Sequence, residues 1–242
     1  MNVLPMPRPQ FSPALRRLNA LFPLEPRAAS ALEAAVRRAM VVPLRHDLMT
    51  EGRAVGEPRI IVEGWAARIR FHIDGRRQFL SFSLPGDLIG LCAQPDPLVT
   101  TTVTALTPLK LAPAPAADDL PSLAAVYALS KAMEEAYLLD HIGRLGRLNA
   151  QERILSLLLE LHERLALAGL AEGGSFDLPL TQEQLADALG LTSVHVNRVL
   201  KYLRDSQLIH LKSGRLTILD RPRLERLAQF DPAYLEIWAD SL

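Results

Sequence analysis

The stretch TQEQLADALGLTSVHVNRVLKYLRDS, residues 181–206, decides the fold of the carboxyl-terminal part of the chain. A helix is predicted to begin at Thr181, whose hydroxyl can cap free backbone N–H groups while Gln184 reaches back in a capping box. Gly190 can supply the positive backbone dihedral of a tight turn, and a second helix is predicted after Thr192. The spacing therefore predicts two helices that cross at a short turn.

Apolar and small residues of this stretch fall where the two helices would face each other. In the first helix and the corner they are Leu185, Ala186, Leu189 and Leu191, and in the second helix they are Val196, Val199, Leu200 and Leu203. The opposite face of the second helix carries Ser193, Val194, Asn197, Arg198 and Lys201. This division predicts a helix-turn-helix, whose second helix, residues 193–206, would enter the major groove of DNA.

The polar face can read bases. Arg198 can donate two hydrogen bonds to guanine O6 and N7, Asn197 can pair with adenine, and Val194 can touch a thymine methyl group. Ser193 completes the predicted base-reading set. The residues predicted to hold phosphates are Thr181, Gln182, Thr192, His195, Lys201, Lys212 and Arg215. The alternative is an ordinary helical hairpin whose polar side is solvated. A single basic residue on a helix is usually only a solvated surface residue.

Two short apolar strands are predicted after the second helix, at Leu208 to Leu211 and at Leu216 to Leu219. The dipeptide Ser213-Gly214 between them suits a two-residue hairpin turn. Lys212 and Arg215 flank the tip of this hairpin, where their charges can lie against the DNA backbone. The pattern therefore predicts a winged helix-turn-helix.

Two segments carry a resemblance to a known family. Residues 178–209, LPLTQEQLADALGLTSVHVNRVLKYLRDSQLI, resemble the DNA-binding end of the bacterial Crp/Fnr regulators. Residues 63–91, EGWAARIRFHIDGRRQFLSFSLPGDLIGL, resemble the family's amino-terminal β-roll. Together with a linking helix, the resemblance covers about residues 44–235. It implies a transcription regulator that binds double-stranded DNA as a homodimer.

The amino-terminal half is predicted to be an antiparallel β-roll of jelly-roll type, which makes the fold class α+β. Asp74-Gly75 is the clearest hairpin signal, and Pro85-Gly86-Asp87 makes a corner. Two sets of alternating apolar residues flank the hairpin, namely Ile69, Phe71 and Ile73 before it and Leu80, Phe82 and Leu84 after it. Before the roll, residues 30–40 predict an amphipathic helix whose arginines face solvent.

A long helix is predicted over residues 121–148, where Leu138, Ile142 and Leu145 have the spacing of a buried seam. The family resemblance implies that this helix pairs with its copy in a homodimer; the alternative is a helix packed only on its own domain. The predicted domains are the β-roll with flanking helices at 1–120, the dimerisation helix at 121–148 and the winged helix-turn-helix at 149–242.

The signal that the roll senses is not evident from the residues. Residues 88–109, where relatives that bind cyclic nucleotides hold the phosphate with an arginine, contain no arginine or lysine, so cyclic AMP binding is not expected. Weak effector candidates are Cys92, Thr100, Thr101 and Thr102. One cysteine excludes a cluster with four cysteine ligands, and haem ligation by His46, His72 or Cys92 is not expected. A regulator without a ligand remains open.

The composition is compatible with DNA binding only if the positive charges are concentrated in one part of the surface. The 242 residues hold 27 basic and 27 acidic side chains, so a nucleic-acid surface must be a patch; 49% hydrophobic residues can fill two small cores. The six histidines, at positions 46, 72, 141, 162, 195 and 210, have no metal-site spacing, so neither a metal nor an enzyme is expected.

No apolar run approaches the roughly 20 residues that span a bilayer, and residues 1–10 lack the apolar core of a signal peptide, so a cytoplasmic protein is expected.

A protein-protein adaptor with a winged helix, or less plausibly a metal-dependent jelly-roll enzyme, is the alternative class. Neither the choice between activation and repression nor contact with RNA polymerase can be read from the sequence.

Overall fold

A computed structural model describes residues 11–92, 94 and 96–230. The helices of this part are α1 Pro13–Leu21, α2 Pro26–Arg37, α3 Pro121–Arg147, α4 Ala150–Leu167, α5 Gln182–Leu189, α6 Ser193–Asp205 and α7 Arg221–Ala228. Residues 1–10, for which no signal peptide was expected, lie outside the described residues. The outer ends of the first and last predicted domains lie outside them as well. Within the described part, no helix is both long and apolar enough to cross a membrane.

The strands form three antiparallel sheets. They are β1 Met40–Val42, β2 Asp47–Met49, β3 Arg59–Glu63, β4 Ala66–Phe71, β5 Arg77–Ser83, β6 Leu88–Ile89, β7 Thr102–Ala105, β8 Leu109–Pro113, β9 Ser175–Asp177, β10 Ile209–Lys212 and β11 Arg215–Ile218. Two four-stranded sheets, ordered β1-β8-β3-β6 and β2-β7-β4-β5, make the amino-terminal roll. The third sheet, β10-β11-β9, belongs with α4 to α7 to the carboxyl-terminal module. The predicted α+β class and antiparallel roll are confirmed.

The segment before the roll holds two helices where the sequence predicted one. α1 begins after Ser12, whose hydroxyl accepts a hydrogen bond from the Leu15 backbone N–H. Its Arg17 is fully buried, which a proline-rich stretch with two adjacent arginines does not indicate. α2 is the predicted amphipathic helix, and its Arg37 side chain is 70% exposed as expected.

The β4–β5 hairpin turns at Asp74-Gly75 as predicted, with Gly75 at φ 84°, but its buried residues differ from the predicted alternation. Phe71 is 60% exposed and Ile73 is fully exposed. The pairing shifts so that Arg68 faces Ser81 while the next residue, Ile69, faces Phe79. Leu80 is the extra residue of this bulge.

The consequence of the bulge is that Phe79 and Phe82, three residues apart, both face the core. Because a bulge places two residues opposite one, it breaks the period of two on which the predicted alternation rests. Leu80 is accordingly only half-buried, while Leu84 is buried as expected.

One apolar core spans the roll and the carboxyl-terminal module. Trp65, Phe79 and Phe82 of the roll share a cluster with Leu158 of α4 and Leu189 of α5. The hydrophobic residues that could fill two small cores therefore form one continuous cluster across this pair of modules. A second cluster lies elsewhere, under α1, α2 and the start of α3.

A chain of buried ion pairs crosses the same junction. Arg164 on α4 contacts Asp87 at the corner of the roll at 2.8 Å and Glu160 on its own helix at 2.9 Å. Arg17 reaches the other oxygen of Asp87 at 2.7 Å. Arg144 on α3 reaches Glu160 at 2.6 Å. The network joins α1, the corner after β5, α3 and α4.

Tyr137 on α3 covers the central arginine of this network. Its ring centroid lies 4.2 Å from the guanidinium carbon of Arg164. His141, one turn further along α3, is half-buried beside Arg144. Burial, with a smaller contribution from Arg144, lowers the pKa of His141 to about 4, so the imidazole is neutral at physiological pH.

The network predicts how stability responds to Glu160→Gln. Burial alone would raise the pKa of Glu160, but Arg144 and Arg164 outweigh it and hold the pKa below its ordinary value. A lowered carboxyl pKa stabilises the fold above the unfolded pKa, and this stabilisation is lost as pH falls through the folded pKa. Removing the charge takes a buried carboxylate partner from both guanidinium groups and leaves Arg164 with Asp87 and Arg144 with Asp140, so we expect a loss of about 3 kcal/mol at neutral pH.

The measurement is urea unfolding of wild type and variant between neutral and acidic pH. The variant's stability should decline less on acidification than that of wild type. Glu135→Gln, at an exposed glutamate of the neighbouring helix α3, is the control and should behave as wild type. Parallel stability curves for wild type and Glu160→Gln would contradict the prediction.

Candidate nucleic-acid interface

The first helix of the predicted helix-turn-helix is α5, and its start is capped as expected. The Gln184 backbone N–H donates to the Thr181 hydroxyl at 3.1 Å, and the Thr181 backbone N–H donates to the Gln184 side-chain oxygen at 2.8 Å. Gly190 ends the helix at φ 62°, a left-handed conformation that glycine adopts without steric cost. The predicted capping box and tight turn are confirmed.

The second helix, α6, runs Ser193–Asp205, one residue short of the predicted end. The Thr192 hydroxyl accepts a hydrogen bond from the His195 backbone N–H at 3.2 Å. The four residues predicted to face inward are all buried, namely Val196, Val199, Leu200 and Leu203. The core under α6 therefore fixes its rotation about its own axis.

The predicted reading face is brought together on the outside of α6. Its exposed residues are Ser193, Val194, Asn197, Arg198 and Lys201. Val194 is 77% exposed, an unusual position for a β-branched apolar side chain without a partner. Arg198 forms no ion pair with any described residue, so its guanidinium is available to a ligand. The surface combines cation, amide and methyl groups, which are the groups that distinguish base edges.

A contact between the two helices, which the sequence did not indicate, orients one member of this face. The Asn197 side-chain amide donates to the Gln182 side-chain oxygen at 3.0 Å. Gln182 was assigned to phosphate contact, and it is half-buried at the start of α5. With one amide hydrogen engaged, Asn197 keeps a second N–H and its carbonyl oxygen. A donor and an acceptor are what the adenine edge requires.

The predicted wing is the hairpin β10–β11. Ser213 and Gly214 have φ of 51° and 77°, both left-handed, as a two-residue turn of this kind needs. The strands lie one residue from the predicted bounds, so Lys212 pairs with Arg215 within the ladder. The sheet also includes β9, a third strand that the sequence analysis did not predict.

The two cations of the wing differ in their partners. Arg215 forms an exposed ion pair with Asp177 of β9 at 2.9 Å. Lys212 is exposed and has no acidic partner among the described residues. We therefore expect the free positive charge at the tip to come mainly from Lys212.

The weak effector candidates differ in exposure. Thr101 and Thr102 are buried, whereas Thr100 and Cys92 are exposed. A cation that the sequence argument missed lies at this site: Arg68 of β4 donates to the Thr101 hydroxyl at 3.2 Å. Glu134 of α3 pairs with the same guanidinium at 2.7 Å. Arg68 precedes residues 88–109 in the sequence, so the composition of that segment does not reveal it.

The long helix α3 has an exposed apolar strip opposite its buried side. Ile142 is 66% exposed and Leu139 is 62% exposed, while Leu138 and Leu145 are half-buried. Leu139 was not among the predicted seam residues. An exposed strip of this kind on one helix is typical of a surface that packs against a second helix.

Side chains that could bind a metal ion are not clustered in the described part of the chain. No group of three or more histidine, cysteine or acidic side chains there has metal-binding geometry. His46 and His72 are exposed on the roll, and His162 is buried beside Glu163.

Comparisons with known proteins agree with this geometry. Residues 152–227 match the family model described as a Crp-like helix-turn-helix domain. The nitrogen fixation regulation protein FixK of Azorhizobium caulinodans is 30% identical over 231 residues, 92% of this chain and 91% of the relative. FixK of Bradyrhizobium diazoefficiens is 32% identical over 173 residues, 69% of this chain and 72% of the relative. The solved structure of FixK2 from Bradyrhizobium japonicum superposes with a TM-score of 0.68 at 27% identity, covering 78% of this chain and 96% of that one.

A β-roll joined through a long helix to a winged helix-turn-helix defines a class of DNA-binding transcription regulators. The extent and identity of the matches identify the group within that class. The chain belongs to the Crp/Fnr family of transcription regulators, a family of regulators and not of enzymes.

Proposed function

We propose that the protein is a homodimeric regulator in which each subunit places α6 in the major groove of one half of a palindromic operator. The observation that carries this proposal is the exposed face of α6, whose side chains share the chemistry of base edges while its other side is fixed by the core. Twofold symmetry would set the half-sites about one helical turn apart, roughly 34 Å.

Dimerisation through α3 is supported by its exposed apolar strip. Leu139 and Ile142 lie in solvent in the single chain, and burying large apolar side chains is the main source of association energy. Gly143 and Gly146 on the same side have no atoms near the position of an added Cβ, so a partner helix could approach closely there. Leu138 and Leu145 would flank this contact.

The proposal assigns direct base contact to Ser193, Val194, Asn197 and Arg198. Phosphate contacts are assigned to Thr181, Gln182, Thr192, His195, Lys201, Lys212 and Arg215, with Gln182 also orienting Asn197. Since the formal net charge is zero, affinity for DNA must come from this local patch.

We further propose that the protein works in the cytoplasm without a metal, haem or iron-sulfur cofactor and does not take cyclic AMP in the family's usual manner. One cysteine in the sequence and the exposed His46 and His72 support the first point. For the second, Arg68 donates a hydrogen bond to Thr101, and the carboxylate of Glu134 already compensates its charge. RNA polymerase would be the partner through which the bound regulator acts.

Selection of the purified protein on a randomised duplex library tests the function directly. We expect enrichment of a palindrome that is bound far more tightly than scrambled DNA, with affinity that falls steeply as salt rises. An adaptor that uses its winged helix to bind protein would enrich no sequence. Repeating the selection with cyclic AMP present should leave the enriched site and its affinity unchanged.

Arg198→Ala should weaken the selected site by about 1–3 kcal/mol while affecting scrambled DNA less, because the lost hydrogen bonds are specific for guanine. Binding isotherms on both duplexes, at one salt concentration, measure the difference. Arg37→Ala, at an exposed arginine of α2, is the matched control and should bind as wild type. Equal losses on the two duplexes would remove Arg198 from base reading.

Lys212→Ala should reduce affinity for all sequences and lower the salt slope by about one, because it removes one phosphate contact and its counterion release. Arg215→Ala should change the slope less, since its guanidinium is already paired with Asp177. The slopes of affinity against salt concentration give the comparison. A larger change for Arg215→Ala than for Lys212→Ala would contradict the assignment.

A further inference from the structure

The β4–β5 hairpin of the roll holds the helix-turn-helix through one arginine. The Nε atom of Arg77 lies 2.6 Å from an oxygen of Asp187, and an Nη atom lies 3.1 Å from Glu183. Both acids are on α5, one turn apart. The Arg77 side chain is 35% exposed and that of Asp187 is 24% exposed, so this contact is partly shielded from solvent.

The same strand holds the carboxyl-terminal module at its other end. Near the end of β5, the Phe82 carbonyl accepts a hydrogen bond from Arg164 of α4 at 2.7 Å. Between these two points, Phe79 and Phe82 enter the apolar core that the modules share. At about 3.3 Å per residue, the two polar attachments are roughly 16 Å apart along the strand.

Two separated attachments constrain a module in a way that one does not. With the polar network at Arg164 alone, the far end of the β5 junction would be held only by apolar contacts, which are not directional. The second attachment, on a different helix of the module, adds a directional contact at that end. Arg77 also packs over the Phe79 ring, with its guanidinium carbon 5.6 Å from the ring centroid, which limits its own movement.

We propose that Arg77 is a positioning residue for operator binding: with Asp187 and Glu183 it sets the angle at which the helix-turn-helix stands on the roll. In a twofold dimer this angle fixes the distance and direction between the two copies of α6. The inference rests on the proposed function, since only a dimer on two half-sites requires that the angle be set.

The base-reading residues themselves are left free by this contact. Asp187 and Glu183 are on α5, whereas the exposed reading face is on α6. Removing Arg77 should therefore not change how one α6 meets one half-site. It should weaken the advantage of binding both half-sites together. A loosely held helix-turn-helix has a lower effective concentration at the second half-site after the first has bound.

The experiment compares Arg77→Ala with wild type on two duplexes, the selected palindrome and a duplex that carries one intact half-site. We expect affinity for the palindrome to fall about tenfold, whereas affinity for the half-site stays within about twofold. Arg76→Ala is the matched control, because Arg76 is exposed and pairs only within the hairpin, with Asp74. It should match wild type on both duplexes.

Removing the acids tests the same contact from the other side. The double variant Glu183→Gln with Asp187→Asn should reproduce the loss on the palindrome, and combining it with Arg77→Ala should add little further loss. Circular dichroism and urea unfolding establish that each variant is folded. These acid variants keep the test available if Arg77→Ala fails to fold.

Three outcomes would overturn the inference: an unchanged palindrome affinity, equal losses on both duplexes, or a gain in palindrome affinity. The last would mean that the contact holds an unproductive orientation. Failure of the proposed function is recognised separately in wild type. A wild-type protein that binds the half-site as tightly as the palindrome has no linkage between half-sites for Arg77 to set.

Discussion

The structure depends on the buried contact between Arg164 and Asp87. Asp87 lies at the corner of the roll and receives both Arg164 and Arg17, while Arg164 also pairs with Glu160. Charges buried to this degree are tolerated only when every one is compensated, because each carries a large desolvation cost. The geometry therefore permits one mutual placement of α1, the corner and α4, and a displaced arrangement would leave a bare charge inside the protein.

The apolar core makes the same placement favourable. Phe79 and Phe82 leave the roll and enter the cluster that also holds Leu158 and Leu189. Dispersion and burial are not directional, so this cluster alone would tolerate a sliding interface. The ion pairs supply the direction that the core lacks. The bulge at Leu80 makes the shared core possible, because it brings both phenylalanines to one face of β5.

Local signals in the sequence were sufficient for the parts of the fold whose partners are close in the chain. The capping box at Thr181, the turn at Gly190 and the hairpin at Ser213-Gly214 each depend on residues within a few positions, and each was predicted. Arg17 and Arg164 were missed because their common partner, Asp87, is 69 or more positions away in the sequence. Single-residue periodicity carries no information about such pairs.

A chain with no net charge can still present a basic surface when its acidic and basic side chains are distributed unevenly. Several acidic side chains in the described structure are engaged by arginines that lie away from the reading face, as at Asp87, Glu160 and Asp187. Arg198 has no such partner among the described residues. Its exposure on α6 follows from the burial of Val196 and Val199 on the other side of the helix. Because rotation of α6 would bury the cation and expose the valines, the energy of the core also maintains the charge on the reading face.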